Sequence, residues 1–127
     1  MNDTRIGNDT GSLRFLVVDD DEAFIECVVE AVSGLGHDVV GRAFDGDSGV
    51  RIFAEKNDAV DVVIMDMVMP GKNGILAAME MKRINPLKKI ILMSCDERNR
   101  KLASALDDVS FIHKPFGNDA IHSIITE

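Results

Sequence analysis

The chain has 127 residues, of which 46% are hydrophobic and 28% charged, and it carries a formal net charge of −8. This length suits one domain and is too short for two separate hydrophobic cores. The acidity argues against direct nucleic-acid binding, because affinity for phosphate backbones comes mainly from clustered Lys and Arg. It favours a metal cation or a basic partner surface instead.

We expect a cytoplasmic protein, because the sequence shows no targeting signal and its two cysteines fit free thiols. No apolar run approaches the roughly 20 residues that span a bilayer, and the N-terminus lacks the apolar segment of a signal peptide. We therefore expect no membrane insertion. Cys27 falls in a helical apolar stripe and Cys95 follows an apolar strand, so we predict two buried free thiols. Residues 1–12 are rich in Asn, Asp, Thr and Gly and predict a flexible N-terminal segment before a domain over residues 13–127.

From residue 13 onward, apolar strand-like runs alternate with amphipathic stretches of helical period. Several of the runs are nearly continuous and β-branched, as in strands that are covered on both faces. In chain order the five runs are "FLVVD", "HDVVGRAF", "VDVVIMD", "KKIILMS" and "VSFIHKP".

The helical stripes follow the strands one by one. Their apolar residues recur at spacings of three and four, which places them on one helix face. In chain order the stripes are Phe24, Cys27, Val28, Ala31 and Leu35; Val50, Phe53 and Ala54; Ile75, Ala78 and Met79, ending at Asn85-Pro86; Leu102, Ala105, Leu106 and Val109; and Ile121, Ile124 and Ile125.

A strand followed by a helix, five times over, predicts an α/β fold. Parallel strands joined by right-handed helical crossovers form an open, doubly wound (βα)5 sheet with helices on both faces. In such sheets, ligands bind beyond the carboxyl ends of the strands, at a switch in strand order.

Polar groups follow the predicted strands at that edge. They comprise several carboxylates, one hydroxyl and one ammonium: Asp19, Asp20 and Asp21 after the first strand, Asp66 after the third, Ser94 after the fourth and Lys114 after the fifth. Crowded carboxylates repel one another unless a cation or a raised pKa relieves the repulsion. Mg²⁺ takes oxygen ligands and binds phosphate alongside protein groups. A carboxylate nucleophile, a metal and a lysine are together the parts of phosphoryl transfer onto a carboxylate.

Four ordered motifs, "VVDDDE", "VIMDMVMPGKNG", "LMSC" and "HKPF", resemble those of a response-regulator receiver domain, as found in two-component signalling and chemotaxis. The resemblance covers the chain from Leu13 onward. It implies a five-stranded parallel sheet of flavodoxin-like strand order 2-1-3-4-5. It also implies Mg²⁺ as the cofactor and a phosphohistidine on a sensor histidine kinase or histidine phosphotransfer protein as the donor.

The resemblance also implies roles for individual residues. Asp66 would accept the phosphoryl group and would hold Mg²⁺ together with Asp19, Asp20 and the backbone carbonyl of Val68. Ser94 and Lys114 would then contact the phosphoryl oxygens.

The same resemblance implies a switch. Phe111 stands at the aromatic switch position and could turn inward as Ser94 moves toward the phosphoryl group. The surface of the fourth helix, fifth strand and fifth helix would then present an altered face to a downstream protein, with a phosphorylation-linked dimer as one possible outcome. Because we find no output domain in the sequence, we expect a freestanding relay or a part of a longer regulator.

Two departures from the family pattern concern the phosphoryl lifetime. Val68 replaces a polar residue that some relatives have, and Cys95 stands where Ala or Gly is usual. Both flank the expected path of the attacking water, so we predict slow hydrolysis.

Each site residue also has an ordinary structural interpretation. Asp21 and Glu22 suit the N-terminus of a helix, where acids interact favourably with the helix dipole. Asp66 could be a turn acid and Lys114 an exposed strand end.

Two other functions remain as alternatives. A small phosphatase of the haloacid-dehalogenase type would use Asp19 and Asp21, but it would leave Asp66 without a role. A flavodoxin-like electron carrier would need a hydroxyl- and glycine-rich phosphate loop after the first strand, where this chain has acids.

Overall fold

The computed structural model describes residues 11–127, in which five strands alternate with five α-helices. In chain order the elements are β1 (Arg14–Val18), α1 (Glu22–Gly34), β2 (Asp38–Ala43), α2 (Gly46–Lys56), a 3-10 turn (Asn57–Ala59), β3 (Val62–Asp66), α3 (Gly74–Ile84), β4 (Lys89–Ser94), α4 (Asn99–Ala103), β5 (Val109–His113) and α5 (Asn118–Ile125). The predicted alternation is confirmed.

The strands form one parallel sheet in the order β2-β1-β3-β4-β5, which is the predicted order. Strand β3 is central: Val18 of β1 lies opposite Met65, and Asp66 lies opposite Met93 of β4. The chain runs outward from β1 to β2 and then returns past β1 to form β3. This reversal of strand order opens a crevice beyond the carboxyl ends of β1 and β3.

The core has two layers, one on each face of the sheet. Strands β1, β3 and β4 are almost entirely buried, and successive side chains point to opposite faces. One layer lies under α2 and α3 and the other under α1 and α5. The first includes Leu16, Val18, Phe53 and Met81, and the second includes Phe15, Val17, Ile25 and Ile121.

Side-chain caps fix where three helices begin. The carboxylate or amide oxygens of Asp21, Asp45 and Asn73 accept hydrogen bonds from backbone N–H groups in the first turns of α1, α2 and α3, at 3.2, 2.7 and 3.0 Å. Such caps satisfy N–H groups that have no partner within the helix. The predicted helix-capping role is therefore confirmed for Asp21.

The prediction that both cysteines are buried is wrong. Cys27 and Cys95 are free thiols, but both are exposed. The inward face of α1 is centred on Ile25, Val28 and Val32 rather than on Cys27. Two or more apolar stripes can be drawn on such an apolar helix, and packing against the sheet selects one of them.

The fourth helix is shorter than its pattern predicts. It ends at Ala103, which points into the core, whereas Leu102 is 59% exposed. Val109, which the sequence patterns place both at the end of this helical stripe and at the start of the run "VSFIHKP", is the first residue of β5. Asp108, directly before β5, has a φ of 62°, a left-handed conformation in the turn that leads into the strand.

Over residues 11–127, no helix combines the length and apolar character needed to cross a bilayer. Residues 1–10, to which most of the predicted flexible N-terminal segment belongs, lie outside the described part of the chain.

Candidate functional site

Three carboxylates meet in the crevice beyond β1 and β3. Asp66 ends β3, and Asp19 and Asp20 directly follow β1. One oxygen from each carboxylate lies within 4.8 Å of the others. Asp19 and Asp66 are buried, whereas Asp20 is exposed. The parallel pairing of β1 with β3 brings these three acids together.

Asp19 is the most constrained of the three. Its Oδ1 accepts a hydrogen bond from the Asp21 N–H at 2.9 Å, and its Oδ2 accepts one from Lys114 Nζ at 2.9 Å. Its own N–H donates to the Ala43 carbonyl at 3.1 Å. A fully buried carboxylate requires such partners, because an unpaired buried charge is costly. Asp19 therefore has a fixed orientation in the crevice.

Lys114 is placed to contact two of the acids. Its Nζ lies 3.8 Å from Asp66 Oδ1, so the closer pairing is with Asp19 rather than with Asp66. The same ammonium lies 4.1 Å from the ring centroid of Phe24, a cation–π contact. The Lys114 N–H donates to the Ser94 carbonyl at 2.9 Å, which extends the pairing of β5 with β4 beyond the strand end.

The carboxyl group of Asp66 has an elevated pKa. Burial is the largest influence and raises the pKa. The charge of Lys114 and the Val68 N–H lower it, whereas the charges of Asp19 and Asp20 raise it. The resulting pKa is about 6. Repulsion between like charges and loss of water both disfavour the ionised form. With a pKa of about 6, Asp66 is nevertheless mostly ionised at neutral pH.

The loop after β3 folds back against the end of that strand. The Met67 N–H donates to the Met93 carbonyl at 2.9 Å, and the Gly74 N–H donates to the Met67 carbonyl at 3.0 Å. A Cβ atom on Gly74 would lie 2.3 Å from the Asp66 carbonyl oxygen, so only glycine fits there. The side chain of Val68, next along this loop, is 65% exposed.

Ser94 ends β4 with its side chain almost fully buried. Its Oγ accepts hydrogen bonds from the Asp96 N–H at 3.0 Å and from Asn99 Nδ2 at 2.9 Å. Because Oγ is the acceptor in both bonds, the Ser94 hydroxyl can still donate a hydrogen bond to another oxygen.

Phe111 lies in the middle of β5, opposite Leu92 of β4, and is half-buried against the core. The Arg100 guanidinium carbon lies 4.7 Å from its ring centroid. The carboxylate of Glu97 is in close contact with the same guanidinium. Phe111 is thus covered from outside by a residue of α4.

Sequence reasoning missed two residues that support the site. Phe24 was assigned only to a helical stripe, yet it lies under the Lys114 ammonium and meets Phe116 edge-to-face at 5.8 Å. Asn99 begins α4 and holds Ser94. Phe24 contacts a lysine far away in the sequence, so no local pattern marks it. Asn99 lies only five residues after Ser94, but the apolar periodicity carries no signal for a polar contact of this kind.

The donor set of the crevice suits Mg²⁺. All the candidate side-chain ligands are carboxylate oxygens, and one of the acids is exposed, so bound water can be retained. Mg²⁺ prefers oxygen ligands and usually keeps several waters. Asp21 does not belong to this set, since its carboxylate caps α1.

Residues 15–126 match the family described as response regulator receiver domain. The chain belongs to this family. The receiver domain is 35% identical over 106 residues to the chemotaxis protein CheY of Thermotoga maritima, which covers 81% of this chain and 86% of that protein. It is 32% identical over 117 residues to CheY of Bacillus subtilis, and this match covers 90% of this chain and 95% of that protein.

Longer relatives match over only part of their length. The receiver domain is 30% identical over 113 residues to the uncharacterized transcriptional regulatory protein YrkP of Bacillus subtilis, and this match covers 87% of the chain but 46% of that protein.

Solved structures share the same fold. A response regulator receiver domain protein from Clostridium thermocellum superposes with a TM-score of 0.81 at 28% identity, covering 90% of this chain and 91% of that one. TrrA from Thermotoga maritima, solved in complex with Mg²⁺-BeF, superposes with a TM-score of 0.80 at 28% identity. This match covers 90% of this chain and 96% of that one. Receiver domains of two-component systems act as signalling switches, which makes this the functional class of the chain.

Proposed function

We propose that this receiver domain catalyses transfer of a phosphoryl group from a phosphohistidine to Asp66. The donor would be a sensor histidine kinase or a histidine phosphotransfer protein. One observation carries the proposal: Asp66 is a buried carboxylate within 4.8 Å of two further acids, with a lysine ammonium 3.8 Å away. A purely structural role for these acids gives no reason to bury like charges together at the carboxyl ends of the strands.

Asp19, Asp20, Asp66 and the Val68 carbonyl would hold Mg²⁺ in this crevice. The ion would supply positive charge that offsets the charge of the transferred group and the three acids. The complex of TrrA with Mg²⁺-BeF supports this assignment by analogy. Asp19 is already oriented by Lys114 and the Asp21 N–H, so little reorganisation would accompany binding.

The protein's own groups would act on the reacting atoms as follows. An Asp66 carboxylate oxygen attacks phosphorus, the bond from phosphorus to the donor imidazole nitrogen breaks, and the imidazole retains the bonding electron pair. Lys114 moves from its position near both acids to pair with a phosphoryl oxygen. The Ser94 hydroxyl keeps its proton and donates a hydrogen bond to a second phosphoryl oxygen. Positioning and charge neutralisation supply most of the catalysis in such transfers.

Phosphorylation would then change the output surface. If Ser94 reorients toward the phosphoryl group, its bonds from Asn99 and Asp96 weaken, and these residues lead into α4. Phe111 can then move inward only if the Arg100 contact over its ring is released. The faces of α4, β5 and α5 would thereby favour a second conformation, which a downstream protein or a second copy could bind.

The phosphatase alternative finds less support. It requires Asp19 and Asp21 to act together, but Asp21 is exposed and caps α1 through its Oδ1. The electron-carrier alternative also finds less support, because the acids after β1 would repel a flavin phosphate.

The test is intact-mass spectrometry after incubation with phosphoramidate, with and without Mg²⁺. The proposal predicts a single phosphoryl addition that requires Mg²⁺ and is lost in Asp66→Asn. The matched control is Asp58→Asn, an exposed acid in the 3-10 turn, which should accept the group normally. An unchanged adduct in Asp66→Asn, or none in the unmodified protein, would contradict the proposal.

A further inference from the structure

Lys72 connects three elements beside the acidic crevice. It lies in the loop of residues 67–73 between β3 and α3. Its Nζ is 3.1 Å from Asp47 Oδ1 in the first turn of α2 and in close contact with the carboxylate of Glu80 on α3. Only 21% of the Lys72 side chain is exposed. One ammonium thus ties the loop to both flanking helices.

The backbone of the loop is also packed tightly at Lys72. A Cβ atom on Gly46, at the start of α2, would lie 2.5 Å from the Lys72 carbonyl oxygen. Glycine therefore allows α2 to approach the loop more closely than any other residue would. Where the loop enters α3, Gly74 makes a corresponding close approach to the Asp66 carbonyl at the end of β3.

The part of the loop next to Asp66 is anchored through the N–H and carbonyl of Met67, but the side chain of Val68 adds little to that anchoring. Met67 and Met69 are buried, but Val68 between them is 65% exposed, so its side chain does little to fix its carbonyl. Methionine is the most adaptable of the apolar side chains and defines a position loosely. Mg²⁺, in contrast, demands near-ideal octahedral geometry.

We propose that Lys72 is a positioning residue for the metal site: by bridging Asp47 and Glu80, it fixes the loop so that the Val68 carbonyl is held for Mg²⁺. This inference rests on the proposed function, in which the Val68 carbonyl is a ligand. An isolated surface ion pair contributes little; here one ammonium that is 21% exposed contacts two carboxylates on two helices, of which that of Glu80 is 35% exposed and that of Asp47 75% exposed.

Electrostatics and positioning predict opposite effects when the lysine charge is removed. Neutralising Lys72 makes the chain more acidic, and Coulomb attraction alone would then tighten Mg²⁺ binding. Loss of positioning would weaken it. The sign of the change in affinity therefore separates the two explanations.

The experiment measures Mg²⁺ affinity by isothermal titration calorimetry for the unmodified protein, Lys72→Met, Lys72→Arg and Lys56→Met. Lys56 is an exposed lysine in the last turn of α2, so its replacement changes net charge equally but leaves the loop untouched. We expect Lys72→Met to bind Mg²⁺ three- to tenfold more weakly, Lys72→Arg to recover most of the affinity, and Lys56→Met to bind as tightly as the unmodified protein or slightly more tightly.

Amide hydrogen exchange of the metal-free proteins supplies a second readout that needs no metal. We expect Lys72→Met to exchange at least fivefold faster at residues 68–73, with the amides of β4 unchanged. Equal or tighter Mg²⁺ binding by Lys72→Met, or unchanged exchange in the loop, would overturn the positioning role. Failure of the unmodified protein to bind Mg²⁺ would overturn the proposed function itself, and the inference with it.

Discussion

Lys114 Nζ donates a hydrogen bond to Asp19 Oδ2 at 2.9 Å and so joins residues that lie 95 positions apart in the sequence. The Asp19 side chain is 1% exposed and that of Lys114 16% exposed, so this is a largely buried ion pair. Removing one partner of such a pair leaves an uncompensated buried charge. We therefore expect the contact to stabilise the metal-free fold.

Lys114→Met tests this pair. We expect the free energy of unfolding of the metal-free protein to fall by about 3 kcal/mol, because Asp19 and Asp66 would then repel each other without a cation between them. Mg²⁺ should restore part of the loss. The measurement is denaturation by urea with and without Mg²⁺, and Lys101→Met on α4 is the exposed-lysine control. A loss below about 0.5 kcal/mol would show that the pair contributes nothing.

Asp66→Asn should stabilise the metal-free protein. The pKa of Asp66 in the fold is about 6, above its usual 3.8, so ionisation favours the unfolded state. The resulting loss of stability builds up as pH rises from about 4 to about 6 and is complete above that range. We therefore expect Asp66→Asn to raise the free energy of unfolding by about 1–3 kcal/mol at pH 7.5 with chelator present.

The stabilisation by Asp66→Asn should vanish below pH 4, where both states carry the protonated acid. Urea denaturation at pH 7.5 and at pH 3.5 checks both values. If Asp66→Asn instead lowered the free energy of unfolding at pH 7.5, the folded state would stabilise the ionised carboxylate of Asp66, contrary to its raised pKa.

The opposite pH dependence is expected at the amino ends of β1 and β3. Asp61 is partly buried, which by itself would raise its pKa, but hydrogen bonds from the Arg14 guanidinium and N–H, with the Arg14 charge, hold the pKa below its usual value. The stabilisation is thus present above about pH 4 and is lost as pH falls through the lowered pKa.

Asp61→Asn should lower the free energy of unfolding at pH 7 by about 1–2 kcal/mol, in keeping with charge-assisted hydrogen bonds of partly buried groups. Denaturation at a series of pH values is the measurement, and the difference should shrink in acid. The control is Glu26→Gln, since Glu26 is 61% exposed in its pair with Arg42 and should contribute little. Equal effects of the two substitutions would contradict the role given to Asp61.

Val68→Asn tests the predicted slow hydrolysis. The Val68 side chain is 65% exposed on the loop that follows Asp66, and in the proposed function an apolar group at this position would impede an attacking water. A polar amide there could orient that water, so we expect the phosphoryl group to be lost about three- to tenfold faster, less than the roughly 100-fold or more of a true general base, because an amide does not take up the proton. Decay of the phosphorylated mass over time is the measurement. The control is Leu87→Asn, because Leu87 is 90% exposed and lies outside the loop that follows β3. Its phosphoryl group should be lost at the same rate as in the unmodified protein.

The sheet and the location of the site could be predicted because both follow from local patterns. Buried, β-branched runs define β3 and β4, and the carboxyl ends of parallel strands necessarily meet at one edge. Asp66 and Lys114 therefore come together whatever the details of the helices. That reasoning needs only the order of the elements.

Contacts that depend on how each helix is rotated could not be predicted in the same way. The exposure of Cys27 follows from which stripe of α1 meets the sheet, and α4 ends at Ala103 although its apolar pattern continues beyond that residue. The position of Phe24 under Lys114 and the bridge made by Lys72 likewise depend on packing between elements. Such contacts leave no periodic signal in the sequence.

Chemical mapping of the phosphoryl group tests the central claim most directly. Borohydride reduces the acyl phosphate of an aspartate to the alcohol, so a phosphorylated aspartate becomes homoserine, which peptide mass spectrometry locates. After incubation with phosphoramidate and Mg²⁺, we expect homoserine at position 66 and at no other acid. Homoserine at position 19, 20 or 21, or none in protein that carries the added phosphoryl mass, would contradict the assignment of Asp66 as the acceptor.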